Sequence, residues 1–158
     1  LAVLGGHVII LRSIIRENKL GIAHWFQEDK EEFILYKSTL SENSILALQI
    51  FSSYSHLPKG SIGEIVENEI VKNGGGIYMA SVASGSWIGI SNNRIAYNAD
   101  YGVAISHPEC PQLKSLFPLL PEGLSAPIQI AGKQNEIRDN DKGDLCPLDY
   151  PWPPGFRK

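Results

Sequence analysis

The chain has 158 residues, 43% of them hydrophobic and 20% charged, with a formal net charge of −3 and a pI near 5.8. That length makes one ordinary domain able to bury a real core, and the weak negative charge removes any electrostatic case for a nucleic-acid or anionic-membrane partner. No apolar run of about 18 residues occurs, so no helix-length membrane span is present.

Taken from the N-terminus, Leu1 to Leu11 is apolar but lacks a charged leader region and a small-residue cleavage site, so it reads as strand. The chain starts without Met and almost directly inside a repeat, which predicts a processed or partial product of a longer protein. Short apolar runs then recur at Val8 to Leu11, Phe33 to Tyr36, Ile62 to Val66, Trp87 to Ile90 and Ile128 to Ile130. They have strand length and are rich in β-branched residues.

Each run is followed by one motif, Asn/Ser-x-aliphatic-x-x-Asn. Its copies start at Ser13, Ser38, Asn68, Asn93 and Asn135, with steps of 25, 30, 25 and 42 residues. The aliphatic position holds Ile15, Leu40, Ile70, Ile95 and Ile137. The closing position is always Asn: Asn18, Asn43, Asn73, Asn98 and Asn140. Eight of the nine asparagines fall into these two columns.

A recurring period of this size signals a solenoid, and a 25-residue unit holds three short strands separated by turns. Asn and Gly are expected at the turns because they tolerate the left-handed backbone region. Turns stacked at roughly 4.8 Å let Asn68, Asn93 and Asn135, and the column from Asn18 to Asn140, chain donor to acceptor as a structural ladder. In-register stacking also aligns Glu69, Arg94 and Glu136 in one charge column and Arg12, Lys37 and Glu67 in another. Both read as solvated faces. A leucine-rich repeat would need three or more regularly spaced Leu per unit, which this chain lacks.

With Asn68 to Ile77 and Asn93 to Val103 carrying the pattern, the sequence resembles the right-handed parallel β-helix proteins of the pectin-lyase-like superfamily, over residues 8 to 145. The resemblance implies an all-β right-handed parallel β-helix; the repeats give it about five to six coils over residues 1–145, with an irregular loop at 106–127 and a C-terminal capping segment at 146–158. It does not carry an activity, because fold does not imply function. The Asn-Thr-Asp, paired Asp-Asp and Arg-Ile-Lys signatures of polygalacturonase-like members are absent, as is the Trp-Ile-Asp-His-like segment of pectate lyases.

Residues outside the repeat leave it at a shared point: Trp25 to Glu32, Phe51 to Ser61, Ser81 to Ser86 and Ser106 to Pro127. Functional loops of a solenoid cluster on one face. The candidate ligand-binding residues are therefore His24, Trp25, Glu28, Asp29, Tyr54, His56, Lys59, His107 and Glu109, in a groove for an extended polysaccharide. The bland alternative is that these side chains pack or face solvent, with Glu28 to Glu32 a solvated turn. No catalytic residue is assigned, no cofactor is called for, and no Cys/His metal spacing is present. Cys110 and Cys146 leave two readings open, a disulfide or two buried thiols.

From Gly143 to Phe156 four prolines break the strand pattern while Tyr150, Trp152 and Phe156 add apolar area, which reads as a C-terminal cap. Leu1 to Leu11 has no such cover. It is expected to meet upstream coils, another copy or another protein. The reading that follows is a noncatalytic secreted, cell-surface or periplasmic segment with a structural, adhesive or glycan-binding role. The alternative is a polysaccharide lyase or glycoside hydrolase.

Overall fold

Each apolar run becomes a short strand because its alternating side chains can face a shared interior and solvent in turn. The computed structural model describes residues 1–52, 60–80, 86–107, 109–110 and 129–158, and every regular element among them is a β-strand. β1 (Ala2–Leu4) comes first, and the remaining strands follow in triplets. These are β2 (His7–Leu11), β3 (Ile14–Arg16) and β4 (Leu20–Phe26), then β5 (Glu32–Tyr36), β6 (Thr39–Ser41) and β7 (Leu46–Ser52). Next come β8 (Ile62–Val66), β9 (Glu69–Val71) and β10 (Ile77–Ala80), then β11 (Trp87–Ser91), β12 (Arg94–Ala96) and β13 (Tyr101–Ile105). The last triplet is β14 (Gln129–Ala131), β15 (Glu136–Arg138) and β16 (Gly143–Cys146).

Every strand pairs in parallel with its counterparts in the neighbouring triplets, which makes a parallel β-solenoid. The first sheet runs β1-β4-β7-β10-β13-β16, the second β2-β5-β8-β11-β14 and the third β3-β6-β9-β12-β15. The motif's aliphatic column lies in the third sheet in unbroken register: Ile15, Leu40, Ile70, Ile95, Ile137. From Leu40 onward these side chains are buried in the bore with Ile22, Leu48, Ile77 and Val103 of the first sheet and Leu35, Ile65 and Ile90 of the second. Fully burying such a side chain stabilises by about 1.5–3 kcal/mol, so the column is the continuous core that no single turn could form alone.

The corners differ from expectation in one respect. The left-handed conformation is taken by the residue just before each column member, not by the column Asn. Arg12, Glu17, Lys37, Glu42, Glu67, Lys72, Asn92, Tyr97, Gln134 and Asp139 all have positive φ, between 46° and 60°. One such residue between extended neighbours bends the chain, and the next side chain is left pointing into the corner. Glycines after the second column also serve another purpose. A Cβ at Gly76 would lie 2.1 Å from the Gly102 carbonyl oxygen, and one at Gly21 would lie 2.4 Å from that of Ala47. They are required by the close approach of stacked turns.

Candidate functional site

Most of the polar side chains that the fold buries form its corners. In the second column Asn73 donates from its backbone N and from Nδ2 to Asn98 Oδ1, both at 3.0 Å, and Asn98 repeats this on Asn140 at 3.1 and 2.8 Å. The first column does the same from Asn68 to Asn93 at 2.9 and 3.0 Å and from Asn93 to Asn135 at 3.1 and 3.0 Å. The other Nδ2 hydrogen goes to a strand carbonyl, as from Asn93 to Ile65 O at 2.8 Å. Ser38 stands in for Asn, accepting from Ser13 N at 3.1 Å and sending its own N–H to Asn68 Oδ1 at 2.8 Å. These groups are saturated, which is what a buried amide requires.

A third polar corner, which the sequence reading missed, joins the first sheet to the second. Glu31 is buried, and its carboxylate accepts from Gly6 N at 2.6 Å and Gln27 N at 2.7 Å. Glu31 N then donates to Ser61 Oγ at 3.3 Å, and Ser61 N donates to Ser86 Oγ at 3.1 Å. Glu31 is therefore a scaffold residue rather than part of a solvated turn. A sequence signal existed, since Gly6, Glu31, Ser61 and Ser86 each stand one place before a second-sheet strand. The residue types differ, and only an acceptor oxygen unites three of them.

His24 also belongs to the interior. Strand alternation from Ile22 turns it into the bore, in the column Val3, His24, Ile50, Met79, Ile105. It is 0% exposed, stacks on Phe33 at 4.7 Å and meets Phe26 edge-on at 4.5 Å. Among the described residues neither ring nitrogen finds a hydrogen-bond partner. Burial pulls its pKa down from 6.5 to about 4, against a weaker upward pull from Glu31. So placed, His24 offers no atom to a ligand outside the bore.

The other candidate residues are scattered over the edge. Trp25 is half-buried on the outer face of the first sheet, 4.8 Å from the Phe51 ring. Glu28 and Asp29 sit in the exposed turn after β4, where Glu28 lends its carbonyl to Ser61 Oγ at 3.3 Å. His107 bridges to Cys110, with Cys110 N donating to His107 O at 2.9 Å, and Glu109 N donates to His107 Nδ1 at 3.3 Å. Tyr54, His56 and Lys59 lie outside the described residues. Among the described residues no three His, Cys, Asp or Glu side chains gather as a metal site.

What does converge on this face is apolar. Ala23, Phe51, Tyr78, Ala80 and Ala104 form one buried cluster on the outer side of the first sheet, with Trp25 packed against it. Cys110 and Cys146 complete it as a disulfide with Cα atoms 5.7 Å apart, which decides between the two readings of these residues. Closing a loop across 36 residues of sequence, the bond constrains the unfolded chain by about 3–4 kcal/mol. One predicted charge column forms on the third sheet, and part of the other at the corner before it. Arg94 lies between Glu69 and Glu136, and Lys37 reaches Glu67 at 3.3 Å. Arg138 holds the Glu136 carboxyl below its usual range. These exposed pairs contribute little individually.

No family model, curated protein or solved structure matches this chain. The parallel solenoid with stacked asparagines therefore stands on its own geometry. That geometry uses most of the chemically versatile buried groups, Asn, Glu31, Ser61 and His24, inside the scaffold.

Proposed function

We propose that this chain is a noncatalytic β-solenoid segment with a structural, adhesive or glycan-binding role, of the kind found in the pectin-lyase-like superfamily. The observation that carries the reading is the employment of the buried polar groups. The buried Asn of the columns and Glu31 are saturated by contacts that hold one turn to the next. A catalytic pair of carboxylates would have to stand on opposite sides of a scissile bond, whereas the acidic residues of the third sheet pair with Arg94 and Arg138. The Cys110–Cys146 disulfide supports an extracellular, cell-surface or periplasmic setting, where such bonds persist.

Incubation with a panel of uronic-acid and neutral polysaccharides tests the reading. Absorbance at about 235 nm follows lyase products, and reducing ends follow hydrolysis. The expected result is no product from any polymer, with retention on one or more of them in affinity electrophoresis marking the glycan-binding role. Release of oligosaccharides would overturn the proposal and make the chain a lyase or hydrolase.

A further inference from the structure

Lys19, Ser44, Gly74, Ala99 and Asp141 follow the asparagines of the second column, and only after Asn73 is that residue glycine. The fold demands it there. A Cβ at Gly74 would lie 2.4 Å from the Ser44 carbonyl oxygen and 2.5 Å from that of Ile45. The ladder in turn demands Asn at 73, which is buried and bonded to both neighbouring rungs. Two separate requirements of stacking therefore place together the single Asn-Gly pair of the chain.

Such a pair has a chemistry of its own. Where the following residue lacks a Cβ, its backbone nitrogen approaches the Asn carboxamide carbon with least hindrance. Gly74 N, giving up its proton, bonds to Asn73 Cγ. The Cγ–Nδ2 bond breaks, and Nδ2 leaves with that proton as ammonia. Water then opens the five-membered imide, its hydroxyl going to one ring carbonyl carbon and its hydrogen to Gly74 N. Opening at Cγ leaves Asp at position 73. Opening at the main-chain carbonyl leaves an isoaspartyl link, whose main chain is one carbon longer.

In the folded chain both reacting groups are held. Gly74 N donates to Asn43 O at 2.8 Å. Asn73 Oδ1 accepts from Asn43 N and Nδ2 at 3.0 and 2.9 Å. Asn73 Nδ2 is enclosed by Leu40 O, Val71 O and Asn98 Oδ1 at 3.0, 3.1 and 3.0 Å. Ring closure has to break bonds on both sides of the rung. The products fit worse than the amide. Asp at 73 sets a buried carboxylate oxygen against those three acceptors, and the longer isoaspartyl link moves Gly74 off its seat on Ser44 and Ile45.

We propose that Asn73-Gly74 is a self-modification site gated by the fold, with water as its only co-reactant. It is shut while the turns are stacked and opens when they separate. Its product does not rejoin the ladder, so time spent unfolded becomes irreversible loss of the native solenoid. The inference is independent of whether the outer faces bind a glycan.

The full chain, with its disulfide intact, is held at mildly alkaline pH in buffer and in denaturing guanidinium chloride. Peptide mapping then reads the amide-to-acid mass change at each asparagine. In denaturant Asn73 is expected to convert first of the nine asparagines. In buffer its conversion is expected to slow by about a thousandfold or more, following the small unfolded fraction. Similar rates in the two conditions, or another asparagine leading in denaturant, would overturn the proposal. On removal of denaturant, unconverted chains are expected to recover the native melt and chains converted at Asn73 to fail. Asn73→Asp, made directly, is expected to fail likewise. Converted chains or an Asn73→Asp protein melting with the parent would overturn the irreversible step.

Discussion

Asn73 hands both its backbone N–H and an Nδ2 hydrogen to the single Oδ1 of Asn98, each at 3.0 Å, and receives the same pair from Asn43 at 3.0 and 2.9 Å. The relation repeats along both columns and explains why Asn is required. Only a short carboxamide supplies, at one corner, an acceptor facing one turn and donors facing the next. Ser38 keeps the acceptor and loses the second donor, so it serves only toward the edge of its column.

His24 should give the solenoid a stability slope in weak acid. Its folded pKa of about 4 lies below the ordinary 6.5, so between these values the unfolded chain binds more protons. The contribution is complete above pH 6.5 and is lost as the pH falls toward about 4, by about 3 kcal/mol in all. His24→Leu should flatten the urea-midpoint profile across that window relative to the parent. Parallel profiles for the two proteins would contradict the assignment.

If residues 146–158 cap the solenoid, Phe156 is the residue to test, because its ring stacks on Trp152 at 5.2 Å and its carbonyl takes the Asn135 donors. Phe156→Ala should cost about 3–4 kcal/mol in equilibrium unfolding. Removing residues 150–158 should leave the last rung open and produce aggregation or end-to-end assembly in sedimentation. A soluble, unchanged monomer would reject the capping role.

Glu42 is exposed and sits at φ 57°, where a side chain is strained. Replacing it with Gly should raise stability by about 0.5–1 kcal/mol, and Glu42→Val should lower it by about 1 kcal/mol. Thermal melts that reverse this order would show that the corner conformation is set elsewhere.

The solenoid was legible because stacking forces the same side chain into the same place once per turn. Ile70 and Ile95, or Asn73 and Asn98, repeat because each is the other's packing or hydrogen-bond partner. The third corner was hidden because Gly6, Glu31, Ser61 and Ser86 need share only backbone geometry and, in three of the four, an acceptor oxygen. Its place beside Trp25 predicts an edge position for His24, although alternation from Ile22 turns the two to opposite faces. The left-handed residues carry no signature either, since Lys72, Tyr97 and Asp139 hold equivalent corners. The pairing of Cys110 with Cys146 depends on how the outer face of the first sheet is covered, which spacing does not encode.

The central claim, that the asparagine columns are scaffold, is tested most directly by equilibrium unfolding of Asn98→Ala, whose side chain is bonded to both neighbouring rungs, beside Asn18→Ala, whose side chain is bonded to one. Asn98→Ala orphans the buried Asn73 N–H and removes the contacts to Asn140 and Ile70, and should cost about 2–4 kcal/mol. Asn18 is exposed and its side-chain Oδ1 accepts from nothing among the described residues, so Asn18→Ala should cost about 0.5 kcal/mol. Equal losses in the two variants, or a loss below about 1 kcal/mol for Asn98→Ala, would contradict the account.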